Sequence, residues 1–146
     1  MNTKNLKKRI LPVLLAAAFV LCAAGCSKKE PQTVKFTVPS NPTTGYTWEV
    51  TQDEELFDVS SEFVEAAKKD AVGVGGTEII TLTPKAAGTT NVKLSYAQHW
   101  EGGNEDSSIT YIFKVTKSFQ IKMEGAAGSF AGDADTLPET PQMVIE

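Results

Sequence analysis

The chain has 146 residues, with 18 acidic against 14 basic side chains, a formal charge of −4, two cysteines and one histidine. That length suits one domain, and the acidic balance argues against nucleic acid as a partner. One histidine among scattered carboxylates supplies neither a zinc ligand set nor a paired nucleophile and base, so no metal, no cofactor and no enzymatic activity are expected.

Residues 1–25 read as a secretory signal. Lys4, Lys7, Lys8 and Arg9 form a basic start, Ile10 to Ala24 is almost wholly apolar, and Ala23, Ala24 and Gly25 supply small residues before Cys26. The apolar run falls short of the roughly 20 residues that cross a bilayer. Cutting there removes Cys22 and four of the basic residues; the ten that remain, against all eighteen acidic ones, leave a formal charge of −8. Cys26 is then the sole cysteine, which excludes an internal disulfide.

Ala23-Ala24-Gly25-Cys26 also resembles a bacterial lipobox, with Ala23 where that pattern prefers leucine. The resemblance implies lipid attachment at Cys26, and several acyl chains exceed the two signals that stable anchoring takes. The expected location is therefore outside the cytoplasm, on a bacterial cell membrane or outer membrane. Residues 26–32 read as a polar tether.

From residue 33 the pattern has period two. Val34, Phe36 and Val38 alternate with Lys35 and Thr37; Tyr46, Trp48 and Val50 alternate with Thr47 and Glu49. Between them Ser40-Asn41-Pro42-Thr43-Thr44-Gly45 is a stiff turn, in which Pro42 fixes its own φ and Gly45 can take a positive one. Leu56 to Ala71 mixes strand-favouring Val59 with helix-favouring Glu, Ala and Lys, and is read as a strand. Gly73-Val74-Gly75-Gly76 is a glycine-rich loop, Ile79, Ile80 and Leu82 suit a buried strand, and Val92, Leu94 and Tyr96 begin the next alternation. Gln98 to Asp106 is a long connection carrying His99 and Trp100. Ile109 to Val115 alternates again, as do Phe119, Ile121 and Met123, whereas residues 125–146 lack periodicity and read as a disordered tail. The domain is thus expected over residues 33–124, as an all-β antiparallel sandwich of about seven strands, whose loops gather at the two ends.

Candidate chemistry in the loops is sparse. The glycine loop lacks the lysine and serine or threonine of a phosphate loop, and neither Glu101 to Asp106 nor Asp133 with Asp135 has the spacing of an EF-hand. What remains is a set of three loops. Asn41-Pro42-Thr43-Thr44-Gly45-Tyr46, Gly73-Val74-Gly75-Gly76 and the Trp100 loop resemble, in order and spacing, the binding loops of the chagasin family of cysteine-protease inhibitors. The first matches at every position and the second fits Gly-x-Gly-Gly. The third keeps the tryptophan alone, with Gln98-His99 where the family has Arg-Pro.

The resemblance covers roughly Thr33 to Thr116. It implies an immunoglobulin-like sandwich with three loops at one end that block the cleft of a papain-like cysteine protease. Asn41 to Tyr46, Gly73 to Gly76, His99 and Trp100 would make the contact, with Thr43 and Thr44 offering hydroxyl and backbone groups nearest the catalytic dyad. A monomer is expected. Family members usually carry one more strand ahead of the first loop, so Ser118 to Glu124 is expected to fill the vacant sheet edge. A cell-surface adhesion or assembly module without a protease target is the competing reading, and the co-occurrence of the three loops argues against it.

Overall fold

Period-two alternation becomes a two-layered sandwich. The computed structural model describes residues 29–66, 75–130 and 141–146. The signal sequence, Cys26, Gly73 and Val74 lie outside the described residues. The strands are β1 (Val34–Ser40), β2 (Thr47–Gln52), β3 (Phe57–Glu65), β4 (Gly76–Pro84), β5 (Gly88–Ala97), β6 (Glu105–Val115), β7 (Ile121–Phe130) and β8 (Gln142–Ile145). One four-stranded sheet has the order β3-β4-β1-β8 and the other β2-β5-β6-β7, with every pairing antiparallel.

The alternating residues meet in the middle. Val34, Phe36 and Val38 of β1 and Ile80 and Leu82 of β4 face Val92, Leu94, Tyr111 and Phe113 of the opposite sheet, all buried. Phe36 fastens the layers, with its ring centroid 5.0 Å from Tyr111 and 6.4 Å from Phe113. Apolar area removed from water, at roughly 25 cal/mol per Å², is what holds the two sheets together.

Of the ambiguous stretch from Leu56 to Ala71, Phe57 to Glu65 is a strand, paired with β4 from Phe57↔Pro84 to Glu65↔Gly76, and residues 67–71 lie outside the described residues. Phe57 is its buried member, whereas Val59, Phe63 and Val64 are exposed, as an outer strand with one covered end allows.

Two expectations are corrected. The tail does not begin at residue 125: Gly125 to Phe130 continues β7 along β6, and Gln142 to Ile145 forms β8. The small residues of β7 weaken strand propensity, but β6 offers an unpaired edge, and Gly128 lets the strands approach closely where a Cβ would run into Ser108 O. The sandwich expected with about seven strands thus has eight among the described residues. The second correction concerns Ser118 to Glu124, expected at the vacant edge of the first sheet. Phe119, at φ 54°, sits in the turn between β6 and β7, and the strand that follows lies on the edge of the second sheet. The edge beside β1 is taken by β8, through Val34↔Ile145 and Phe36↔Met143, which pack Met143 and Ile145 against the core. Part of the segment read as a tether, residues 26–32, is joined to the domain: Gln120 Nε2 donates to Glu30 O at 2.8 Å, and Gln32 bonds both Phe119 O and Ile121 N.

Candidate functional site

The register places three connections at one end. Ser40 pairs with Gly76, and Thr47 pairs with Ala97, so the β1–β2, β3–β4 and β5–β6 loops all leave from the same edge of the sandwich. The first is central.

Residues 42–44 form one turn of 3₁₀ helix, opened by Pro42 and closed by Gly45 in the left-handed region at φ 81°. Thr44 N donates to Asn41 O at 3.1 Å and Gly45 N to Pro42 O at 3.1 Å. Side chains reinforce the turn: Thr43 Oγ1 donates to Asn41 Oδ1 and Thr44 Oγ1 to Asn41 O, both at 2.7 Å. The two threonine hydroxyl protons are thus engaged within the loop, and each oxygen keeps acceptor capacity toward a partner. Pro42, Thr43 and Thr44 are exposed.

Beneath the turn is an aromatic stack. Tyr46 and Tyr96 lie 5.4 Å apart and Trp48 and Tyr96 5.0 Å apart, and Trp48 Nε1 donates to Pro39 O at 2.9 Å. Trp48 is buried and Tyr46 half-buried against the core, so both are support for the turn more than surface. Tyr96, which the sequence did not single out as a site residue, completes the stack, and its hydroxyl accepts from Asn41 N at 3.4 Å. Its signal was the inward alternation with Val92 and Leu94.

Gly75 and Trp100 of the flanking loops press on the central one. An ideal Cβ on Gly75 would stand 3.0 Å from Ser40 O and 3.4 Å from Asn41 Cβ. The Trp100 indole lies across Gly45: a Cβ there would stand 2.6 Å from Cη2 and 3.1 Å from Cζ3. The indole is still 55% exposed, so it covers Gly45 with one edge and presents the rest to solvent. Of the predicted residues, the structure brings together Asn41 to Tyr46, Gly75, Gly76, His99 and Trp100.

The third loop closes on itself. Gln98 N donates to Asn104 O and Gly103 N to Trp100 O, both at 2.9 Å. His99, exposed, sets Nε2 3.1 Å from Thr47 O and Nδ1 2.9 Å from Glu49 Oε2. At the foot of this loop the ladder between β5 and β6 slips, Tyr96 facing Ser107 and Ala97 facing Glu105, the kind of bulge that re-aims a chain beside a site. Glu105 locks that foot. Lys93 Nζ donates to its Oε2 at 2.7 Å, Ser95 Oγ to the same oxygen at 2.8 Å and Ser108 Oγ to Oε1 at 3.0 Å. The bond from Lys93, then that from Ser95, hold the carboxyl at about 2, below its ordinary 4.5. Neither Glu49 nor Glu105 was singled out in the sequence, because their partners lie a strand away.

No group of three or more histidine, cysteine, aspartate or glutamate side chains capable of holding a metal occurs among the described residues. The arrangement suits binding: a stiff central turn, exposed backbone and one large flat apolar side chain, all preorganised.

Comparison with known proteins bears on what is bound. The family model described as chagasin family peptidase inhibitor I42 matches residues 28–115. Chagasin from Trypanosoma cruzi is 39% identical over 80 residues, which span 51% of this chain and 72% of that protein. Amoebiasin-2 from Entamoeba histolytica is 36% identical over 81 residues, spanning 53% of this chain and 66% of its own. The crystal structure of the cysteine protease inhibitor EhICP2 from Entamoeba histolytica aligns with a TM-score of 0.44 at 31% identity, over 55% of this chain and 75% of that one. The span matched by the family ends at Val115, the last residue of β6, so β7 and β8 lie beyond it.

Proposed function

Because this chain belongs to the chagasin family of peptidase inhibitors, we propose that it blocks the active-site cleft of papain-like cysteine peptidases with the three loops at one end of its sandwich. The observation that carries the reading is the interlocked arrangement of Gly75, the Asn41 to Gly45 turn and Trp100, which forms one continuous surface before any partner arrives. A preformed surface loses little conformational entropy on binding, and protease inhibitors typically cover about 800 Å² per partner in complexes that rank among the tightest known.

In this reading the central turn enters the cleft, where the exposed Thr43 and Thr44 present backbone groups and hydroxyl acceptors. The glycine loop lies backbone to backbone along one wall, and Trp100 buries its free face against the other as the interface anchor. Inhibition is by occlusion, without turnover. Titrating papain with the purified protein should abolish activity at a one-to-one ratio, and Trp100→Ala should weaken inhibition by at least about thirtyfold, the loss of one aromatic anchor. Full papain activity at a molar excess of the protein overturns the reading.

The same reading has the domain exported and held at a membrane by lipid on Cys26. Cys26→Ala should move the protein from the membrane fraction to the medium, and continued membrane association of that variant contradicts lipid anchoring.

A further inference from the structure

His99 connects two parts of the loop end. The internal bonds of the third loop, between Gln98 and Asn104 and between Trp100 and Gly103, set its shape and leave its angle to the sheet open. Beyond the hold of Glu105 at its foot, the loop is tied to β2 where the His99 ring reaches it, with Nε2 3.1 Å from the Thr47 carbonyl and Nδ1 2.9 Å from the Glu49 carboxylate. Both partners are acceptors, so a ring nitrogen that carries a proton donates to the partner it faces. Thr47 and Glu49 begin the strand that leads directly out of the central turn. A clamp at this point therefore fixes the third loop to the segment that carries Gly45, and the next residue, Trp100, is the one whose indole lies over Gly45.

We propose that His99 is a positioning residue: by bridging Thr47 and Glu49 it sets the pose of the Trp100 indole, and it influences target binding through that indole instead of through a contact of its own. The functional half of this proposal rests on the inhibitor reading above. The structural half does not.

Two measurements on the purified protein separate them. Amide hydrogen exchange across residues 97–104, in the absence of any protease, should speed up in His99→Ala and Glu49→Ala while the thermal midpoint holds, because a local clamp opens without the fold. Glu49→Gln, whose amide oxygen still accepts, should lose less protection than Glu49→Ala. Unchanged exchange in His99→Ala overturns the clamp. For function, a double-mutant cycle on papain inhibition should show His99→Ala weakening binding about fivefold, the scale of one hydrogen bond, but adding nothing in a Trp100→Ala background. Losses that add in the double variant overturn positioning in favour of a direct contact. If the unaltered protein leaves papain active, the inhibitor reading falls and takes this functional half with it, whereas the exchange result still decides the clamp.

Discussion

Replacing Gly45 by alanine perturbs the loop end in two ways whose sizes differ. The residue sits at φ 81°, where an L side chain costs about 1–2 kcal/mol. For a domain of this size that corresponds to a fall in thermal midpoint of roughly 4–8 °C per kcal/mol. The added Cβ would also stand 2.6 Å from Trp100 Cη2 and 3.1 Å from Cζ3, inside contact distance. Because the indole is 55% exposed, it can swing away into solvent. The collision thus adds little to the loss of stability and falls on the pose of Trp100. With an aromatic anchor worth at least about 2 kcal/mol, inhibition of papain should weaken about thirtyfold. Gly45→Asn separates the two effects, since asparagine tolerates the left-handed region but carries the same Cβ. It should keep a midpoint close to the parent and lose inhibition as Gly45→Ala does. The assays are calorimetry and inhibition constants for both variants beside Trp100→Ala. An unchanged inhibition constant in Gly45→Ala, alongside a large loss in Trp100→Ala, would refute the argument that the indole must lie across residue 45.

Other parts of the structure make separate claims. Deleting residues 142–146 strips Met143 and Ile145 from the core and uncovers the backbone of β1 from Val34 to Thr37; urea denaturation should show a loss of roughly 2–4 kcal/mol, and an unchanged midpoint would mean that β8 adds nothing to the fold. Glu105 has its carboxyl lowered to about 2 from 4.5, so its contribution to stability is complete above about pH 4.5 and fades as pH falls toward about 2. Its side chain is 46% exposed, and solvent screening keeps that contribution below about 1 kcal/mol. Glu105→Gln should therefore be less stable than the parent at pH 6, with the gap closing through the acid range, and a gap constant with pH would contradict the assignment. Ser40 Oγ and Ser107 Oγ are buried and have no hydrogen-bond partner among the described residues. Each serine-to-alanine change should be neutral or stabilising by up to about 1 kcal/mol, and a clear destabilisation would reveal a bond that the hydroxyl makes.

Much of the fold was legible in single strands. Val34-Phe36-Val38 and Tyr111-Phe113-Val115 announce themselves by alternation, because burying a polar side chain between the sheets without a partner is costly and the inward positions are therefore mostly apolar. The turn at Asn41 to Gly45 was legible for a different reason: Pro42 and Gly45 each restrict or extend backbone freedom in a way that few local structures need. β8 was not, since four residues between Pro141 and Glu146 show a pattern too short to tell from chance, and their value depends on an open edge beside β1. Gly125 to Phe130 misled because glycine and alanine lower strand propensity, whereas the pairing edge of β6 decides the outcome. The site divides along the same line. Its members could be named from motifs, but Trp100 over Gly45 and His99 on Glu49 join residues about fifty positions apart, which no local pattern encodes.

The bonds between Thr33 and Glu146, in both directions, put the start of β1 and the end of β8 side by side, at the opposite end of the sandwich from the three loops. That arrangement has a mechanical meaning. A load applied between residue 33 and a partner gripped at Asn41 runs along the axis of β1, a strand paired over seven residues with β4 and over four with β8. Such a load must shear both ladders together, because none of the rungs can open ahead of the rest. A molecule pulled from its loops while held at its other end would resist along a strand that is paired on both sides.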